Sequence, residues 1–224
     1  MIFHPLRTIF GSVGRHAATK LACHAAVGAW IAVLYYGPQI WPLFPPRPAP
    51  ALPMDDWIPY QPMWALIYQT ILLVHTLALW LPQDAEVVKS YARNVAIVFG
   101  CGAVIFWLCP TVSPRPEELG SFVYRWFVSA VDGPRNAFPS LHAALGLLGV
   151  VTISGHLRKC GVSPMWRVAL LGWWVAMLYS TLATRQHRVL DLLAGTGLGL
   201  LSLALSPITT QTLPDHEPLP ATPD

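Results

Sequence analysis

The stretch "YSTLATRQHRVLDLLAG", residues 179–195, decides how this chain is read. Apolar sequence runs up to it and apolar sequence follows it, yet Arg185, His187, Arg188 and Asp191 crowd within seven positions. Polar groups at the end of an apolar segment are either anchors at a water boundary or parts of a site. The rest of the chain separates those two readings.

Of the 224 residues, 54% are hydrophobic and only 11% charged, with a mean hydropathy of +0.48. Soluble domains carry roughly 25% charged residues. Six apolar stretches lie near residues 18–37, 64–82, 94–110, 141–157, 166–184 and 189–206. Each approaches the length needed to cross a hydrocarbon core of roughly 30 Å. A soluble helical bundle would show polar faces at helical period, and "LLGWWVAMLYSTLA" has none. The expected fold is therefore all-α: a polytopic membrane protein built as a bundle of six transmembrane helices. Residues 1–206 form its single membrane-embedded domain, and the Pro-rich, acidic tail 207–224 is expected to be disordered. Residues 38–63, rich in Pro and aromatics, read as an extended outer loop against the headgroup zone.

Lys and Arg in the short flanks set orientation. With the N-terminus inside, eight fall on the inner side and six on the outer, so both termini are expected in the cytoplasm. The basic N-terminus leads directly into the first apolar segment, which suits an uncleaved first helix in the plasma (cell inner) membrane. Cys23, Cys101, Cys109 and Cys160 lack paired spacing and read as buried small apolar residues. The net charge of +3 is too small to argue for nucleic acid. Gly195 and Gly199 make a small-x3-small spacing, a helix-packing signal. His24 and His75 read as histidines with interhelical hydrogen bonds.

In this topology three polar clusters meet the membrane on one face. In "HRVLD", His187 and Asp191 are four apart and share a helix face. An Asp that accepts from one imidazole nitrogen raises the basicity of the other, which suits a nucleophile or general base. Taken alone, the pair reads equally well as an interfacial His with an Asp favoured by the helix dipole. "PSLHA" puts Ser140 and His142 at a helix start, where unpaired N–H groups attract anions; Ser140 also fits a plain N-cap. "SPRP" holds Arg115 in rigid, extended backbone, and Arg185 adds a second guanidinium, the group that pairs with phosphate oxygens two at a time. Two arginines, two histidines, a hydroxyl and a carboxylate on one face point to phosphoryl chemistry. A His-Glu-x2-His metal motif and a Gly-x-Ser-x-Gly turn are both missing.

The order Arg-Pro, then Pro-Ser-x-His, then Ser-x6-His-x3-Asp resembles the type 2 phosphatidic acid phosphatase (PAP2) superfamily. The resemblance covers roughly residues 55–200, with "FPSLHA" and "STLATRQHRVLD" as its specific parts. "DDWIPYQPMWALIY" is similar to the segment before the second helix in the branch that includes inositol phosphorylceramide synthases. The resemblance implies that His187 attacks phosphorus and forms a phosphohistidine, that Asp191 orients it, and that His142 protonates the leaving oxygen. It implies that Arg115 and Ser140 hold the phosphoryl oxygens, with no metal and no cofactor. The substrate is then a membrane lipid phosphate, met at the outer face, with hydrolysis as the default outcome and transfer to a lipid hydroxyl as the alternative; a non-catalytic lipid transporter or scaffold is a third. Two positions depart from the family pattern. Leu108 stands where the first motif has Lys, and Thr181 where the third has Arg. Arg185, four residues after Thr181, would share its face and replace the lost cation if that helix continues.

Overall fold

The computed structural model describes residues 9–116, 122–129 and 132–208. Six long helices carry it. Helix α1 spans Ala17–Ile40, with a π turn at Ile31–Tyr35; α2 is Ala65–Trp80, α3 Ala85–Leu108, α4 Leu141–Lys159, α5 Pro164–Ala183 and α6 Val189–Leu205. All-helical architecture is thus as expected.

Among the described residues, four helices are long and apolar enough to cross a membrane: Ala17–Ile40, Pro62–Trp80, α3 and α4. The expected count was six. Helix α6 is apolar but has only 17 residues, about 26 Å at 1.5 Å per residue. Helix α5 has the length, but Trp166, Trp173, Trp174 and Arg167 lower its hydropathy. The third helix begins at Ala85 instead of 94. Its first turns carry Ser90 and Asn94, which are buried rather than exposed. The Asn94 amide donates to Ser90 O at 2.8 Å and across to Ser206 O at 2.7 Å, so polarity there marks a helix contact and not a water boundary. The tail beyond residue 208 lies outside the described residues.

Helix α4 is the centre, packed on α2, α3, α5 and α6. It approaches α6 through the two glycines noted in the sequence. A Cβ on Gly195 would sit 2.0 Å from the Ser140 carbonyl oxygen, and one on Gly199 would press on Ala144 at 3.2 Å. That closeness holds the start of α4 against the start of α6, and Ser140 N donates to Asp191 O at 3.0 Å. The core between α2, α3 and α4 includes Val74, Leu79, Val95, Phe106 and Leu148. Helix α1 lies at the edge, with only 11% of its most apolar window buried.

One end of the bundle collects the long connections. The loop 41–61 does not simply lie outward. Arg47–Pro48 pairs in parallel with Thr111–Val112, and Gln61 N donates to Ala183 O at 2.8 Å. At the other end Lys20 is buried, donating to Ser12 O at 2.9 Å and Trp80 O at 2.7 Å, and Lys159 pairs with Asp84 at 2.6 Å. No disulfide forms. Cys101 and Cys109 are exposed and Cys23 and Cys160 only partly covered, so the expectation of buried cysteines does not hold. His75 Nδ1 meets the Tyr91 hydroxyl at 2.7 Å, and Trp80 reaches His24 Nδ1 at 3.4 Å, the interhelical role expected of both histidines.

Candidate active site

Helix α5 ends at Ala183, and the chain turns back sharply. Arg185 has φ of 58°, left-handed backbone that few non-glycine residues adopt. Gln186 N and His187 N both donate to Thr181 O, at 2.9 and 3.2 Å, closing the end of the helix. This turn brings His187 under the start of α4. The helix therefore does not continue through Arg185, and the premise that Arg185 shares a face with Thr181 fails. Its guanidinium instead donates to the carbonyls of Asp55 (3.3 Å) and Ile58 (3.0 Å), tying the 41–61 loop to the turn.

His187 is buried, and its Nδ1 lies 2.9 Å from Ala137 O. A carbonyl can only accept, so Nδ1 carries the hydrogen, and in the neutral ring the lone pair is then on Nε2. Asp191 stands behind, with Oδ2 3.6 Å from the same Nδ1. The sequence expectation gave Asp191 the hydrogen bond; the geometry gives it to Ala137, and Asp191 Oδ2 accepts from Arg188 N at 2.8 Å. Asp191 is wholly buried and its Oδ1 has no partner. Beside it, Asp55 Oδ1 accepts from Val189 N at 2.8 Å. Two carboxylates thus serve the first turn of α6, where the helix dipole favours negative charge.

Facing His187 is His142, whose Nδ1 is 3.3 Å from His187 Nε2. Ser140 caps α4, accepting from Ala143 N at 3.3 Å, and is wholly buried. Arg115 reaches the same place from the loop after α3. Its Nη2 donates to Asp132 O (2.6 Å), Gly133 O (2.9 Å) and Gln186 Oε1 (2.8 Å). Its Nε is buried without a partner, a donor still open to an anionic oxygen. Gln186 is held in turn by donating to the Tyr124 hydroxyl. Burial pushes the Tyr124 phenol up to about 12, so it stays neutral.

The site residues expected from sequence thus divide. His187, His142, Asp191 and Ser140 converge at the α4–α6 junction, and Arg115 joins them through Gln186. Arg185 is engaged with the 55–58 loop. Ser180 Oγ donates to Met177 O at 2.6 Å within its own helix. Leu108 is 61% exposed at the end of α3.

Sequence reasoning missed Asp132, Tyr35, Tyr68 and Gln186. The phenols of Tyr35 and Tyr68 donate to the two carboxylate oxygens of Asp132, and Arg115 Nη2 is 3.9 Å from Asp132 Oδ2. A largely apolar cavity of about 120 Å³ opens from Asp132 and His142 and runs between α1, α2, α3 and α4 past Ile31, Leu72 and Phe99 to His75. From Tyr68 to His75 that path is about 10 Å along α2. Among the described residues, no three His, Cys, Asp or Glu side chains gather so as to hold a metal ion.

The apolar cavity reaches His142 and Asp132, and His187, Arg115 and the capped start of α4 adjoin that end of it. A family model described as the PAP2 superfamily matches residues 52–205, and the chain belongs to that superfamily. Membership suggests phosphatase-type activity on phosphoric esters. No curated protein and no solved structure matches the chain.

Proposed function

We infer that the protein is a metal-independent membrane lipid phosphatase working through a phosphohistidine on His187. The observation that carries this reading is the tautomer. With Nδ1–H committed to Ala137 O and Asp191 behind it, His187 Nε2 presents a lone pair toward His142, and the charge that develops on the ring during attack meets a buried carboxylate.

In this reading Nε2 attacks phosphorus, the P–O bond to the lipid breaks, and His142 gives its proton to the departing oxygen. Arg115 and Ser140 stabilise the non-bridging oxygens as charge builds. Water then attacks the phosphohistidine, returning its proton to His142 and freeing phosphate. The 3.3 Å between the two histidines leaves no room for phosphorus and a leaving oxygen, each needing contacts of about 3–3.5 Å. Substrate binding therefore parts the two rings and replaces their hydrogen bond.

All six long helices cross the bilayer in this account, α5 and α6 included, with both termini cytoplasmic and the site at the outer face of the plasma membrane. The apolar cavity beside His142 suits a membrane lipid as partner and substrate. A phosphotransferase of the inositol-phosphorylceramide-synthase type is the second reading. It is favoured by "DDWIPYQPM", whose Asp55 holds α6, and by Thr181 and Leu108 at the two departing positions. A lipid alcohol then replaces water.

Purified protein in detergent with a chelator, given a panel of lipid phosphates, separates these readings. Free phosphate without a new phospholipid supports the phosphatase; a new phospholipid without free phosphate supports the transferase. Neither product from any lipid phosphate would remove both.

A further inference from the structure

Asp132 is a carboxylate that the three motifs do not use, although it sits inside the site. Its side chain is only 12% exposed. Both oxygens are gripped by phenols from different helices, Tyr35 of α1 and Tyr68 of α2. The Tyr68 ring lies against the His142 imidazole, centroids 4.6 Å apart and planes inclined by 36°. Asp132 and His142 line the same end of the cavity. Arg115 beside them donates to the main-chain oxygens of residues 132 and 133, and the Asp132 carboxylate stands further off, 3.9 Å from Nη2. A carboxylate near a phosphate-binding arginine opposes the binding of an anion there through like-charge repulsion.

Resting on the phosphohistidine reading, we propose that Asp132 is a positioning residue for the proton donor, acting on His142 through Tyr68. The carboxylate fixes the Tyr68 hydroxyl, the fixed ring sets the plane of the His142 imidazole, and the negative charge on that wall balances the proton the imidazole carries to the leaving oxygen. Asp132 touches neither phosphorus nor the departing oxygen. Its effect is confined to substrates that need a proton on departure. An alkyl alcohol leaves badly as an alkoxide; a nitrophenol leaves well as its anion. General-acid help is worth about 10²–10⁴-fold, and loss of a positioning partner removes part of that.

The test compares a long-chain alkyl phosphate with a nitrophenyl phosphate carrying a similar chain. For Asp132→Asn, the ratio of alkyl to aryl kcat/KM, which reports the step in which the leaving group departs, is expected to fall by about tenfold or more. Tyr68→Phe, which keeps the ring and removes the donor, moves the ratio in the same direction and carries the test if Asp132→Asn does not accumulate. His142→Ala gives the largest fall in the ratio. An unchanged ratio, or an equal loss on both esters, overturns the role of Asp132 and leaves the phosphohistidine reading intact. Full activity of His187→Ala on both esters instead removes the reading on which the proposal rests.

Discussion

At the scale of single residues, the account turns on which hydrogen bond fixes His187. Ala137 O takes the Nδ1 hydrogen at 2.9 Å while Asp191 stands at 3.6 Å, its Oδ2 already accepting from Arg188 N. Asp191 thus contributes buried negative charge and a helix cap more than direct orientation. Asp191→Asn keeps an oxygen for the cap and deletes the charge. Removing one group that stabilises charge developing in the transition state costs about 10²–10³-fold, and here it should appear in kcat with little change in KM. A rise in KM alone, with kcat unchanged, would place Asp191 in substrate binding. Much of this residue set was legible in the sequence, since His187, Asp191, Ser140, His142 and Arg115 stand in motifs whose spacing encodes their convergence. Asp132 was not. "VDGPRN" has the composition of an ordinary turn, and its partners Tyr35 and Tyr68 sit within apolar spans where an aromatic carries no positional signal. Only packing reveals that two phenols and a carboxylate meet.

At the scale of helices, the site depends on how closely α4 and α6 approach. Gly195 faces the Ser140 carbonyl so tightly that a Cβ would fall 2.0 Å from it, and backbone cannot swing aside as a side chain can. Gly195→Ala must push the start of α6 away from Ser140 and His142. Overpacking of this kind costs about 1–3 kcal/mol. The expected outcome is a lower Tm in detergent together with a large loss of kcat; an unchanged Tm with full activity would mean that the helices are not so close. The glycine spacing announced this contact correctly. The early start of α3 was hidden because Ser90 and Asn94 look like loop residues, and only the bond from the Asn94 amide to Ser206 O shows why the helix buries this polar turn. The end of α5 was hidden too: nothing in "ATRQH" marks Arg185 as the residue that adopts left-handed backbone.

At the scale of the molecule, the six helices place two chemically different ends apart. One end gathers the long connections, Arg115, the start of α4 and the His187 turn. The other buries Lys20 and pairs Lys159 with Asp84. If all six helices cross, residues 116 and 187 lie on one side of the membrane and residues 84 and 160 on the other. Single cysteines placed at 116 and 84 in a cysteine-free variant should label from opposite sides with an impermeant reagent. Labelling of both from one side would contradict the six-span arrangement. The central claim, that His187 carries the phosphoryl group, has a more direct test. Purified protein is mixed with a lipid phosphate labelled in phosphorus, quenched within one turnover and digested. The account predicts label on the peptide containing His187, stable to alkali and lost in acid, and none in His187→Ala. Label on another residue, or unchanged labelling in His187→Ala, would contradict it.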